Sequence, residues 1–187
     1  MLLASAKWTA WLGLSAALAC ACAVPPRPPR LGLRLPPDAL ETSINVQQHL
    51  IVEREGRVVD LDAALEVDEH EVNLVCLMLG RRVLTLRFDG KTLDTWRDPM
   101  VPPQLRGEDV LEDLQLTLWP IESIREALPN GWQIEENDRR RWLFWDGELV
   151  MLIAYSGDSR WSGEVVLRNM RYQYKLTIIT ALQHASQ

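Results

Sequence analysis

Cysteine, histidine, serine and clustered charge are the residue types in this chain that could do chemistry, and one cysteine pair stands in a pattern. Ser15 to Cys22 reads Ser-Ala-Ala-Leu-Ala-Cys-Ala-Cys. Lys7 and the apolar run from Trp8 to Leu18 precede it, in the order of a secretory signal's charged and hydrophobic regions. Small side chains beside a scissile bond, with a thiol immediately after it, are what lipoprotein processing requires, because that thiol carries the diacylglyceryl group. The stretch therefore reads as a bacterial lipobox. Cys20 is the expected acylation site and Cys22, after Ala21, the alternative. Cys20 is preferred because the apolar run ahead of it is less interrupted. An ordinary cleaved signal or an uncleaved anchor helix is the other reading, although a spanning helix needs about 20 apolar residues and this run reaches Val24 only by including its small residues. Two or more acyl chains anchor a protein stably where one does not.

The other reactive residues do not assemble. His49, His70 and His184 are scattered, without a paired metal-ligand spacing, so no metal is expected. Ser156-Gly157-Asp158 is a turn, because it lacks the strand-to-helix setting of a nucleophile elbow. The carboxylates between 60 and 71 fall on the wet face of a strand and in its turn. Cys76 lies in an apolar strand as a core thiol. Arg139-Arg140-Arg141 reads as a hairpin flank, with an anion site as the alternative. No catalytic residue and no cofactor is expected.

These residues need a scaffold, and the chain supplies one domain. Of 187 residues with a net charge of −6, removal of 1–19 leaves 168 and takes away only Lys7, giving −7. That is enough for one core, and its sign disfavours nucleic acid, whose binding needs phosphate neutralisation. Cys76 is the one cysteine left in the domain body, so no disulfide framework is available. Residues 20–37 hold most of the prolines and are expected to form a lipidated, semi-rigid tether. The domain is expected to occupy 38–187, opened by a brief helical turn at Asp38 and Glu41, which stand in capping-box spacing.

From Ser43 the pattern has period two. Val59, Leu61, Ala63, Leu65 and Val67 alternate with acidic residues, the mark of a strand with one wet face. Turn signals at Glu55-Gly56, Gly80, Asp89-Gly90 and Asp146-Gly147 divide strands expected at 44–54, 59–68, 72–79, 82–89 and 92–97, and later at 132–136, 140–146, 149–156, 163–170 and 172–180. Val72–Leu79 and Leu149–Ala154 are apolar on both faces, which requires cover on both sides. Asp109 and Glu112 in capping-box spacing predict a helix over 109–119, stopped by Pro120, with a second short helix closing at Pro129-Asn130-Gly131.

This order, with Leu-Met-Leu-Gly followed by Leu-Thr-Leu over 77–86, Ala-Leu-Pro at 127–129 and Tyr-Lys-Leu-Thr-Ile at 174–178, resembles the LolA/LolB superfamily of lipoprotein carriers, the tethered LolB members most closely. Asp113–Leu116 through Trp119-Pro120, and Tyr155–Asp158, resemble more specifically a family of small lipoproteins encoded beside aryl-polyene-type biosynthesis genes. The resemblance implies a mainly β fold with a few helices (α+β). Its curved antiparallel sheet of about 10–11 strands would form an unclosed half-barrel lidded by short helices. It further implies a greasy cavity for acyl or polyene chains, for which Leu74, Cys76, Val110, Leu111, Leu114, Leu118, Met151 and Ile153 have the concave-face or lid spacing. It implies a membrane-inserting hairpin loop at Met78, Leu79, Arg81 and Arg82. The implied protein is a monomeric outer-membrane lipoprotein of the cell envelope, facing the periplasm. Its cargo is a lipid or acylated lipoprotein, and its partners include a periplasmic carrier protein. Ala21, where an Asp would follow Cys20, favours the outer membrane. A tethered adaptor with a filled core and no lipid ligand is the alternative.

Overall fold

The computed structural model describes residues 28–101 and 105–181. Cys20, Cys22 and His184 lie outside them. The described chain forms ten strands: β1 (Ile44–Arg54), β2 (Arg57–Val67), β3 (Val72–Met78), β4 (Arg81–Phe88), β5 (Leu93–Arg97), β6 (Trp132–Asn137), β7 (Arg140–Trp145), β8 (Glu148–Tyr155), β9 (Glu164–Asn169) and β10 (Tyr174–Thr180). Two helices, α1 (Gly107–Leu118) and α2 (Ile121–Ala127), lie between β5 and β6. All ten strands belong to one antiparallel sheet in the order β5-β4-β3-β2-β1-β10-β9-β8-β7-β6, with β5 and β6 as free edges. The sheet is open, and its mainly β character and sequential hairpins are those expected from the alternation.

Helix α1 shows that the sheet curves. Laid flat, ten strands at about 4.8 Å spacing would be roughly 43 Å wide, far more than one helix spans. Yet α1 meets both halves. An added Cβ at Gly107 would lie 2.1 Å from Thr95 Cγ2 on edge strand β5, so only glycine fits that approach. Near the other edge, Arg141 Nη1 of β7 donates to Leu116 O at 2.8 Å and Tyr155 Oη of β8 to Thr117 O at 2.7 Å. The inner faces of both halves and the helix then bury one continuous apolar core.

Two β-bulges refine the alternation. The β3–β4 register shifts at Cys76/Leu77 and the β7–β8 register at Leu143/Phe144. Each inserts an extra residue, so Val83-Leu84 and Val150-Met151 both turn inward as consecutive pairs. This accounts for the apolar run in β8. In β3 the inner face of Val72, Leu74 and Cys76 is buried, while Val75 and Leu77 on the outer face are half-buried. The expected second cover over β3 is therefore partial.

Three sequence expectations change. Helix α1 begins at Gly107, with Arg106 as N-cap and no side-chain cap, so Asp109 sits inside the first turn and the capping box does not form. Its carboxylate accepts instead from Tyr172 Oη at 3.4 Å. The turn at Pro37–Leu40 is a 3-10 turn, also without a side-chain cap. The expected spacer through Pro37 ends earlier. Leu31, Leu33 and Leu35 are all buried in the core, alternating with exposed Gly32, Arg34 and Pro36, and each such leucine contributes about 2 kcal/mol of burial. A strand-like strap therefore begins in what composition marks as a linker, because alternate leucines among the prolines give it one apolar face.

The strap is held by α1. Gln115, fully buried, accepts from Leu35 N at 3.0 Å and donates to Leu35 O at 2.7 Å, as a neighbouring strand would. Gly32 N donates to Glu112 Oε2 at 2.9 Å and Trp119 Nε1 to Pro36 O at 3.2 Å. Gln115→Ala leaves both backbone groups of Leu35 buried and unpaired. It is expected to destabilise the fold by about 2–3 kcal/mol, read as a lower urea midpoint at an unchanged slope.

Candidate functional site

The eight residues expected on the concave side do come together. Leu74, Cys76, Leu111, Leu118, Met151 and Ile153 are buried, and Val110 and Leu114 are half-buried against the same core. Between α1 and the sheet they are closely packed, with the leucines of the strap beside them. Cys76 has its thiol pushed up to about 12 by burial, which makes it inert as a nucleophile. Two clefts lie elsewhere, each lined by polar and apolar side chains together. One, of about 460 Å³, is lined by residues including Arg139, Tyr155, Arg160 and Trp161, and one of about 600 Å³ by residues including Arg54, Arg57, Arg168 and Lys175.

The β3–β4 hairpin presents Leu79 as a two-residue turn with Gly80, at φ 51° and 74°. Both angles lie in the left-handed region, the type I′ geometry that matches strand twist and that suits glycine or asparagine far better than leucine. Leu79 is 101% exposed. Behind it the loop after β5 is fixed by Asp98, which is buried: Oδ1 accepts from Met100 N at 2.9 Å and Oδ2 from Arg81 Nη2 at 2.8 Å. These bonds, that of the Met100 amide first, hold the Asp98 carboxyl below its usual range. They also fix Met100 facing water, 73% exposed. The Arg82 guanidinium lies 4.7 Å from the centroid of the Trp96 ring. Of the four residues expected in this loop, Leu79, Arg81 and Arg82 are exposed and Met78 is half-buried against the core. Sequence reasoning missed Met100, Trp96 and Asp98, which lie on the neighbouring strand and the loop after it.

A second cluster joins α1, the strap and the β9–β10 turn. Glu112 and Arg171, each 6% exposed, pair at 3.3 Å, and Arg171 Nη1 donates to Pro29 O at 2.6 Å. Tyr174 donates its hydroxyl to Asp113 Oδ2. Burial is the main reason the Asp113 carboxyl is pushed up to about 7. It also raises Glu112 and Asp109, with Arg171 offsetting the rise at Glu112 and Arg106 the largest offset at Asp109. The capping-box spacing marked Asp109 and Glu112 as special residues, but local spacing could not reveal partners more than fifty residues away.

The arginine run at 139–141 is divided by strand parity. Arg139 and Arg140 are exposed, whereas Arg141 shares the inner face with Leu143 and is 1% exposed. Arg141 pairs with Glu136, and with Arg160, whose Nε donates to Leu118 O at 2.8 Å, it serves the last carbonyls of α1. Cations suit a helix C-terminus. Ser156 Oγ is engaged by Glu164 N at 2.8 Å. His49 is half-buried between Asp62 and Asp60, each at 3.2 Å, and these carboxylates raise its pKa, the hydrogen bond to Asp62 most. Among the described residues no group of three His, Cys, Asp or Glu side chains is placed to hold a metal. None of the described helices is long and apolar enough to cross a membrane.

No curated protein matches this chain. A family described as "Protein of unknown function (DUF3261)" matches residues 45–182, from the start of β1 to just past β10, so the match takes in the whole sheet and both helices. On that match the chain belongs to the DUF3261 family.

Proposed function

We propose that this protein is a tethered envelope lipoprotein of LolA/LolB-like type, whose half-barrel accepts an acyl- or polyene-bearing lipid, or an acylated lipoprotein, and helps deliver it to a membrane. The observation that carries this reading is Leu79: a wholly exposed leucine, held in a backbone conformation leucine disfavours, beside Arg81 and Arg82. Exposure and strain at one apolar residue cost stability, and such features persist where function requires them. An apolar tip entering the acyl boundary while arginines meet phosphates fits an interfacial contact. The order of elements supports the same reading, with an open antiparallel sheet, helices between β5 and β6, and the leucine-tipped hairpin between β3 and β4. Binding and release would need no cofactor. Cys20, or Cys22, would carry the anchor, and the outer membrane is the proposed site.

The packed concave face favours a second reading, a tethered adaptor that binds no lipid, because Leu31, Leu33 and Leu35 already share that core. Native mass spectrometry with lipid extraction separates the two, using the processed chain purified from a host that makes candidate lipids. A carrier retains an acyl or polyene species that is lost on Leu114→Gln, at a half-buried position of α1 against the core. A chain that stays empty when offered lipid is an adaptor.

A further inference from the structure

We infer that one whole end of the sheet, not a single hairpin, is a docking surface for an anionic lipid bilayer. This inference rests on the membrane role proposed above and gives it an orientation. The antiparallel order brings the β1–β2, β3–β4, β7–β8 and β9–β10 turns, and the end of β5, to the same end of the molecule. Exposed apolar side chains gather there: Val58 after the first turn, Leu79 on the second, Leu149 after the third, Met170 on the fourth, and Met100 beyond β5. Ile179, also exposed, stands toward the opposite end, paired with Glu164 and His49. Side chains on different, sequentially distant turns have no local reason to share an end. A common apolar plane explains them together.

Charge follows the same axis. The cleft of about 600 Å³ opens between the β1–β2 and β9–β10 turns, where Arg54, Arg57, Arg168 and Lys175 line it together with Val58 and Met170. Lys175 pairs with Glu53 at 2.6 Å and Arg54 with Glu55 at 3.5 Å, which leaves Arg57 and Arg168 outside any ion pair among the described residues. Cations set back from an apolar edge suit phosphate headgroups, to which arginine can donate two hydrogen bonds. The far end carries more acid than base: Asp68, Glu69 and Glu71 in the β2–β3 turn, Asp89 in the β4–β5 turn, Asp138 in the β6–β7 turn and Asp158 after β8 stand against Lys91, Arg139, Arg140 and Arg160. Net acidity keeps that end off an anionic surface. The N-terminal chain arrives at the same basic end. Arg171 of the β9–β10 turn holds Pro29 O, and the strap runs from there to Pro36 and Pro37 beside Gly90 at the far end, so the described chain begins at the docking face. A tether leaving from that face lets the apolar turns reach the bilayer without turning the domain over.

Hydrogen exchange tests this on the full-length chain with phosphatidylcholine vesicles containing phosphatidylglycerol. Amides in 55–59, 146–150 and 168–173 are expected to exchange roughly tenfold more slowly than on pure phosphatidylcholine vesicles, with 68–71 and 89–92 unchanged in the same samples. Leu149→Asp with Met170→Asp, both at exposed sites, should abolish the slowing at 146–150 and 168–173 without lowering the urea midpoint. Slowing confined to 78–82 overturns the inference and leaves the single-hairpin role standing. No slowing at any turn overturns both.

Discussion

Replacing Leu79 with asparagine is expected to give a protein that is more stable and less able to deliver cargo. Leucine at φ 51° bears a left-handed penalty of about 1–2 kcal/mol, whereas asparagine tolerates that region in a two-residue hairpin turn. No folded-state contact is lost, because the side chain is wholly exposed. The gain should be about 1 kcal/mol, or a rise of roughly 2–4 °C in Tm for a domain of this size. Transfer of a bound lipid from the protein to acceptor vesicles should fall by about tenfold or more, since the apolar tip that enters the bilayer is gone. The two measurements belong together. A stabilised variant with unchanged transfer would remove Leu79 from the membrane contact, and an unchanged Tm would mean the left-handed turn is not strained.

Asp113→Asn should change how stability depends on pH. The folded carboxyl is pushed up from an ordinary 3.8 to about 7, so between those values the folded state holds a proton that the unfolded chain has released. The stability contributed by this proton is therefore fully present near pH 4 and is lost as pH rises to about 7, by about 1.4 kcal/mol per unit and up to about 4 kcal/mol in all. Asparagine has no proton to lose and still offers an oxygen to the Tyr174 hydroxyl, whose own pKa burial keeps well above its ordinary value. The variant should match or trail the parent at pH 4 and exceed it by a few kcal/mol at pH 8. Asp109 and Glu112 are raised as well and help to raise Asp113, so the difference between parent and variant reads Asp113 together with its coupling to these two carboxyls. Parallel denaturation midpoints across pH 4–8 would show that this carboxyl is ionised in the fold.

Much of the scaffold was legible because its signals are local. Alternation in Val59–Val67 has the same period as the strand pleat, and Glu55-Gly56 and Asp146-Gly147 supply the left-handed pair that a tight hairpin needs. Pro120 separates the two helices because it cannot continue the first. The errors arose where a local pattern had a distant partner. The acids of the apparent capping box bind Tyr172 and Gly32 instead of their own helix end. The strap leucines were hidden in proline-rich composition, and their burial depends on Gln115, eighty residues further on.

By itself the sequence determined the strands, the hairpin order, the two helices and the apolar set on the inner faces, since period, turn chemistry and helix breakers act over a few residues. Only the tertiary structure decided the curvature around α1, the bulges that turn Val83-Leu84 and Val150-Met151 inward, and the sending of Arg141 inside while Arg139 and Arg140 stay out. It alone also gathered Val58, Leu79, Met100, Leu149 and Met170 at one end. The physical reason is that strand pairing fixes which turns share an end, and no spacing along the chain encodes that until the ladders have formed.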